Sequence, residues 1–464
     1  MSIALTRTGR YLMLLVTLPA LALGTVTFER RWHWFREDIG RSVALTADGG
    51  YLVGGQTWVD STEYRMVLVR TDSLGDTTSV RYVPGAGNGS GYLCRLNGGD
   101  FVAAGIRNGY VFARGFGPEG DSLWTYGQSV RGQVHDLIAT SDGGCAIAGR
   151  DSMLDMGLVK LDSLGNEQWS RGYDDPRIQG STAFGAAEAY DHGFILCGDA
   201  TDYMGSYVRL VRTDSLGDTL WTQLLSGPVG PSLRAVCEMP DHGFLAVGSE
   251  YDMAHSRNVV YLVHTDPTGA IDWTRDIAPS DTTAGVEAAA LCITADGGYV
   301  IAGSIDWSDS ARIWLVKLDG DADTAWTSVV GGRRREQAVD VWQTPDGGYV
   351  IAGTSDPPSD SILLVKTNSL GRVPYGVADE RPVAPDAPFW LEPNPAGSVV
   401  HINYSLPGVE TRLEVRDVTG REVRASLERK IPGFVLDVRS MPAGVYLVRL
   451  ESDRGSATRK LVVK

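Results

Sequence analysis

Long apolar runs are what this chain of 464 residues most plainly lacks. The longest, Tyr11–Leu23, holds roughly 13 residues, short of the ~20 that a membrane-spanning helix needs. Arg7 and Arg10 precede it and Ala22-Leu23-Gly24 follows, so residues 1–24 read as an export signal cleaved before Thr25. Positive charge is also scarce: 42 Lys and Arg face 57 Asp and Glu, a formal charge of −15. That balance excludes nucleic acid and anionic membrane as partners, since both require a cationic footprint. The seven histidines are too scattered to make a metal site. Phosphate-loop, nucleophile-elbow and haem-attachment motifs are missing, as is a calcium loop of 12 residues with its closing Glu. No metal and no cofactor are expected.

Glycine, by contrast, is abundant, and it is periodic. A phrase built from an Asp-Gly-Gly-type turn, an aromatic, a short apolar run and a glycine occurs seven times, clearest as Asp296–Gly303 and Asp346–Gly353. The closing glycines are Gly55, Gly105, Gly149, Gly198, Gly248, Gly303 and Gly353, in steps of 50, 44, 49, 50, 55 and 50 residues. A period near 50 made of strands and turns defines an all-β fold, a seven-bladed β-propeller with one blade per repeat. Each blade reads as four strands. In the fifth repeat these are Leu233–Cys237, Phe244–Val247, Val260–His264 and a fourth around Trp273, with turns at Asp241-His242-Gly243 and Asp266-Pro267-Thr268-Gly269. Tyr51, Phe101, Phe194, Phe244, Tyr299 and Tyr349 recur on the second strand, and Trp124, Trp169, Trp221, Trp273 and Trp326 on the fourth. Once-per-blade aromatics are expected to pack blade against blade.

Five cysteines in an exported chain invite a disulfide reading, and the period argues against it. Cys94, Cys237 and Cys292 each lie 11 residues before their repeat's glycine, at one equivalent position in different blades. Such positions should exceed the ~7 Å Cα limit for a bridge. All five are read as free core thiols. The seventh repeat lacks a fourth strand of its own. Phe28 precedes Ala44 by the same 16 residues that separate Trp221 from Cys237, so Thr25–Trp34 is expected to supply that strand within a propeller spanning 25–376.

Residues 377–388 form a Pro-rich linker, and the propeller period is absent beyond it. Strands are expected at Val399–Leu406, Thr411–Val418, Phe434–Val438, Val445–Leu450 and Thr458–Val463, giving residues 389–464 a small immunoglobulin-like β-sandwich. Its motifs are Pro393-Asn394-Pro395, Asp417-Val418-Thr419-Gly420-Arg421, Met441-Pro442-Ala443-Gly444-Val445-Tyr446-Leu447 and Lys460-Leu461-Val462-Val463-Lys464. Together they resemble a type A C-terminal sorting domain of the type IX secretion system. Ile402–Pro407 is also similar to the domain of flagellar hook-capping proteins. The sorting resemblance implies passage through the periplasm, recognition of the tail by the secretion machinery, and release outside the cell or attachment to its surface. The residues that would carry it are Pro393, Asn394, Pro395, Gly420, Gly444, Tyr446, Lys460 and Lys464.

Catalytic residues in a propeller should break the repeat. Asp214–Trp221 resembles the Asp-box of sialidases, with one residue too many between Asp and Gly and no accompanying Arg, Tyr and Glu set, so it reads as a turn. The same phrase resembles the repeat of quinoprotein-like propellers. Loop length varies between strands two and three and between blades, on one face of the disc. Trp58, Asp60, Asp306, Trp307, Arg333, Arg334 and Arg335 are the candidate ligand residues there. The reading is a monomeric, non-catalytic binding propeller for an extracellular glycan or protein. The alternative is a secreted carbohydrate-active or quinone-dependent enzyme with its site at the channel mouth.

Overall fold

The computed structural model describes residues 26–34, 37–60, 63–83, 91–118, 120–226, 230–279, 284–307, 310–331, 335–355, 360–373, 389–392, 399–404, 411–417, 421, 423, 426–430, 433–452 and 455–463. The export signal and the Pro-rich linker lie outside the described residues. The chain divides into two compact units, one ending at Val373 and one starting at Pro374.

The first unit is a ring of seven four-stranded antiparallel blades. Their inner strands are Asp38–Leu45, Tyr92–Arg95, the second half of Ser122–Ala139, Gly180–Glu188, Ser232–Glu238, Gly285–Ile293 and Glu336–Gln343, preceding blade two's partner strands as they do elsewhere. Each inner strand touches the next around the ring, and Glu336–Gln343 touches Asp38–Leu45. The core is correspondingly divided into seven clusters, each shared by two neighbouring blades. Blade seven holds three strands from its own repeat plus Phe28–Trp32, which pairs antiparallel with Ser361–Thr367. In that register Phe28 faces Lys366, as Trp221 faces Arg212 and Trp326 faces Lys317.

The recurrent residues have distinct packing roles. Fourth-strand Trp169, Trp221 and Trp326 meet Phe194, Phe244 and Tyr349 of the following blade at ring distances of 5.6, 6.0 and 5.9 Å. Phe28 meets Tyr51 of blade one in the same way at 5.7 Å. The Asp-Ser-Leu-Gly phrase is a turn: Asp214 Oδ1 accepts the backbone N–H groups of Leu216 and Asp218, and Gly217 has φ +80°. Trp169 lies where a Cβ on Gly217 would be, which fixes that glycine. Third-strand Arg70, Lys160, Arg212, His264, Lys317 and Lys366 lie within 3.4 Å of the turn carboxylates Asp48, Asp142, Asp191, Asp241, Asp296 and Asp346. The repeating Arg/Lys is thus a clamp on the first turn of its own blade.

One connection departs from the expected pattern. Ser122–Ala139 runs unbroken from the fourth strand of blade two into the first strand of blade three. The step of 44 residues from Gly105 to Gly149 leaves too little chain for a separate loop.

The second unit has two sheets, one ordered Phe389–Glu392, Val399–Tyr404, Gly433–Asp437, Ser426–Lys430, the other Thr411–Asp417, Gly444–Ser452, Gly455–Val463. They share a core of Val400, Val415, Leu436, Val438, Met441, Tyr446, Val448, Leu461 and Val463. Two strands here escape sequence reading. Phe389–Glu392 abuts the linker, and Ser426–Lys430 is mostly polar and stays in the sheet through backbone pairing with Gly433–Asp437.

Candidate functional site

The closing glycine of each repeat creates the site. A Cβ on Gly149, Gly198, Gly248, Gly303 or Gly353 would fall within 2.1 Å of an inner-strand carbonyl oxygen. That close approach accompanies a β-bulge in the inner strand, where register shifts across Arg41, His135, Phe184, Arg234, Ala289 and Val339. Gly91 takes this place in blade two, with φ +121°. All seven residues lie 14 positions before their repeat's glycine. A bulge re-aims the side chain it carries. All but Gly91 are half-buried at the innermost edge of the ring, where the channel runs.

The side chains at this level interact across the ring. His135 meets Phe184 at 4.8 Å, and the Arg234 guanidinium lies over the Phe184 ring at 4.0 Å. Arg41, from blade one, acts electrostatically on Tyr92 of blade two and, with Arg234 of blade five, on His135 of blade three. Burial first, and then those arginines, push His135 down to about 4, so it is neutral at pH 7. The Arg41 Nε is buried with no hydrogen-bond partner among the described residues.

One residue further on stand Asp136 and Asp340. Burial raises their carboxyls to about 6 and about 7 respectively. Each is held in place by two backbone N–H donors. Asp136 accepts from Leu137 at 2.8 Å and from Ala186 of the next blade at 2.9 Å; Asp340 accepts from Val341 and from Val43 of blade one, both at 2.8 Å. They therefore tie blade three to blade four and blade seven to blade one. Sequence reading missed this ring. The signal was available as the one position per repeat that varies between Arg, Gly, His, Phe, Ala and Val amid constant neighbours.

The residues singled out on the loop face fall into separate pairs. Arg335 Nη2 contacts Asp306 Oδ1 at 3.3 Å, bringing blades six and seven together, and the Asp306 carboxyl is raised by burial against that arginine's opposing pull. Trp307 lies under Arg312 at 5.7 Å. On blade one, Trp58 packs on Tyr64 at 5.0 Å, and Tyr64 donates to Glu37 at 2.8 Å. Asp60 ends the second strand there. Arg333 and Arg334 lie outside the described residues. Among the described residues no three His, Cys, Asp or Glu side chains group as metal ligands.

In the second unit the Met441–Leu447 motif is a locked corner. Met441 and Tyr446 are buried in the core, and the Tyr446 hydroxyl donates to the Pro442 carbonyl at 2.7 Å. Gly444 opens the strand Gly444–Ser452, and a Cβ there would make only ordinary contacts. Lys460 is exposed on the last strand, opposite Leu447. Pro393, Asn394, Pro395, Gly420 and Lys464 lie outside the described residues.

Residues 392–464 match the family of secretion system C-terminal sorting domains. This domain interacts with the type IX secretion machinery and marks proteins secreted to the cell surface or the extracellular space. Comparison with the curated proteins finds no significant match. Among solved structures, the chain is similar to a protein of unknown function from Dyadobacter fermentans (12% identity, TM-score 0.47, covering 74% of this chain and 98% of that one). It is also similar to the β-propeller domain of the trilobed protease of Pyrococcus furiosus (8%, 0.45, 74% and 100%). A third similarity is to the WD40 domain of Neurospora crassa Pan2 (9%, 0.44, 70% and 88%). The chain is a seven-bladed β-propeller protein that carries a type IX C-terminal sorting domain.

Proposed function

We propose that this is a secreted binding propeller, acting as a monomer without catalysis, whose channel mouth holds an extracellular ligand that bears negative charge. The ring of bulge residues carries the reading. In a chain of net charge −15 it gathers Arg41 and Arg234 beside Phe184 and Tyr92. Guanidinium groups next to aromatic faces bind carboxylated or sulfated glycans and acidic peptide segments through paired hydrogen bonds and stacking. Asp306, Trp307 and Arg335, with Trp58 and Asp60, would extend contact along the loop face. The test is a glycan array probed with mature protein and with an Arg41→Ala/Arg234→Ala double variant. Binding of acidic glycans that the double variant loses supports the reading; equal binding by both proteins refutes it.

One observation favours a second reading, a carbohydrate-active enzyme. Asp136 and Asp340 have carboxyls raised to about 6 and about 7 at the channel wall, a range suited to general acid catalysis. Against this, both carboxylates already hold neighbouring blades together. Turnover of any polysaccharide by the purified propeller, abolished in Asp136→Asn or Asp340→Asn, would establish the enzymatic reading.

A further inference from the structure

The short second repeat leaves a cavity. In blade two the second and third strands are joined by the tight Asn108-Gly109 turn, both residues at positive φ. Blade two then passes directly into blade three without a covering loop. The face of blade three is left open over a cavity of about 290 Å³.

Its floor is apolar, made by Val111, Ile147 and Val159. Its wall carries three arginines from three different strands: Arg131, Arg150 and Arg171. Arg131 makes no hydrogen bond or ion pair among the described residues and lies over the Tyr110 ring at 5.0 Å. Arg150 reaches only the Leu154 carbonyl, at 3.4 Å. Arg171 is shared with Asp218, at 3.4 Å. Asp151 also lines the cavity, but its Oδ1 is engaged by the N–H groups of Met153 and Asp155. Ser129 and Gln133 add hydroxyl and amide groups beside the arginines.

We infer that this cavity is a second binding site, for a single carboxylated sugar unit such as a hexuronate. The apolar floor suits the C–H face of a pyranose ring, the arginines suit a carboxylate approached from two sides, and the serine and glutamine suit ring hydroxyls. The volume accommodates one ring. This inference does not rest on the channel reading, because no arginine of the channel ring lines the cavity.

Titration calorimetry of the mature protein with D-glucuronate and with D-glucose tests it. Glucuronate should bind at least about tenfold more tightly than glucose, and Arg131→Ala/Arg150→Ala should weaken it at least about tenfold. Gly157→Val provides a variant that keeps the arginines. A Cβ there meets Asp151 atoms at 3.4 Å, so the strand accepts it while the added methyls fill the cavity. It should lose glucuronate binding at an unchanged melting temperature. Arg41→Ala/Arg234→Ala should bind glucuronate as the wild type does. The inference is overturned by absent glucuronate binding, by equal binding of glucose, by persistence of binding in folded Gly157→Val, or by its loss in the channel variant alone.

Discussion

Phe28→Ala tests how the ring is held shut. Phe28 is 6% exposed, sits against Gly75 where a Cβ would be 2.5 Å from its ring, and meets Tyr51 edge-on at 5.7 Å. Truncating a buried phenylalanine costs about 3–5 kcal/mol, through lost transfer energy and the cavity left behind. For a unit of roughly 350 residues, an unfolding entropy of about 2.1 cal/mol/K per residue is about 0.7 kcal/mol/K, so the melting temperature should fall by about 4–7 °C. Removing residues 26–34 should cost more. It also deletes Trp32, whose indole donates to Thr77 at 2.8 Å, and the Arg31 ion pair with the fully buried Glu336. The third strand of blade seven would then be an unpaired edge. Differential scanning calorimetry should be run beside Leu164→Ala, a turn residue that is 70% exposed and should change stability by less than about 0.5 kcal/mol. If Phe28→Ala melts with that control, closure by this strand does not hold the ring.

The first-turn clamp should be asymmetric: Asp346→Ala leaves the buried Lys366 ammonium without its partner and should cost about 3 kcal/mol, whereas Lys366→Met should cost less in urea unfolding. Asp340 should make stability pH-dependent. Its folded carboxyl lies near 7 against an unfolded value near 4, so the folded state holds the extra proton and stability falls as pH rises through that window. Asp340→Asn removes the dependence, and the melting temperature of wild type minus variant should therefore drop between pH 5 and pH 8; parallel curves would refute the assignment. Deleting Gly444–Lys464 removes two of the three strands of one tail sheet, and cell fractionation should find the propeller folded but retained in the periplasm.

Much of the propeller was legible because the features that build a blade recur at fixed spacing. The turn glycines, the fourth-strand tryptophans and the third-strand cations each answer to a contact repeated around the ring. The channel ring was harder to see for the opposite reason. A side chain that faces solvent along the axis packs against no repeating partner, so its identity changes from Arg41 to Phe184 to Ala289 and leaves no motif. Only the bulge that aims it is encoded, in the glycine 14 residues later. The loop-face candidates came from length variation, which finds where chain is added and does not say which side chains meet. Asp306 and Arg335 do meet, whereas Trp58 turns to its own hairpin partner Tyr64.

The five thiols connect the fold to its export. All are free, and Cys94, Cys145, Cys197 and Cys237 are buried, with Cys292 half-buried. Burial pushes Cys292 up to about 11 and Cys145 up to about 12, so neither offers the thiolate that disulfide formation needs in an oxidising compartment. Cross-links therefore do not hold this exported ring together, and what does is the meeting of its two ends. Phe28–Trp32 can pair only once Ser361–Thr367 exists, so closure waits for nearly the whole propeller to be made. The sorting unit follows directly in the chain, with a core of its own built from Val400, Val448 and Leu461 and their neighbours. A tail that folds around its own core can be recognised whatever precedes it, which frees the propeller's channel and loop faces to vary with the ligand.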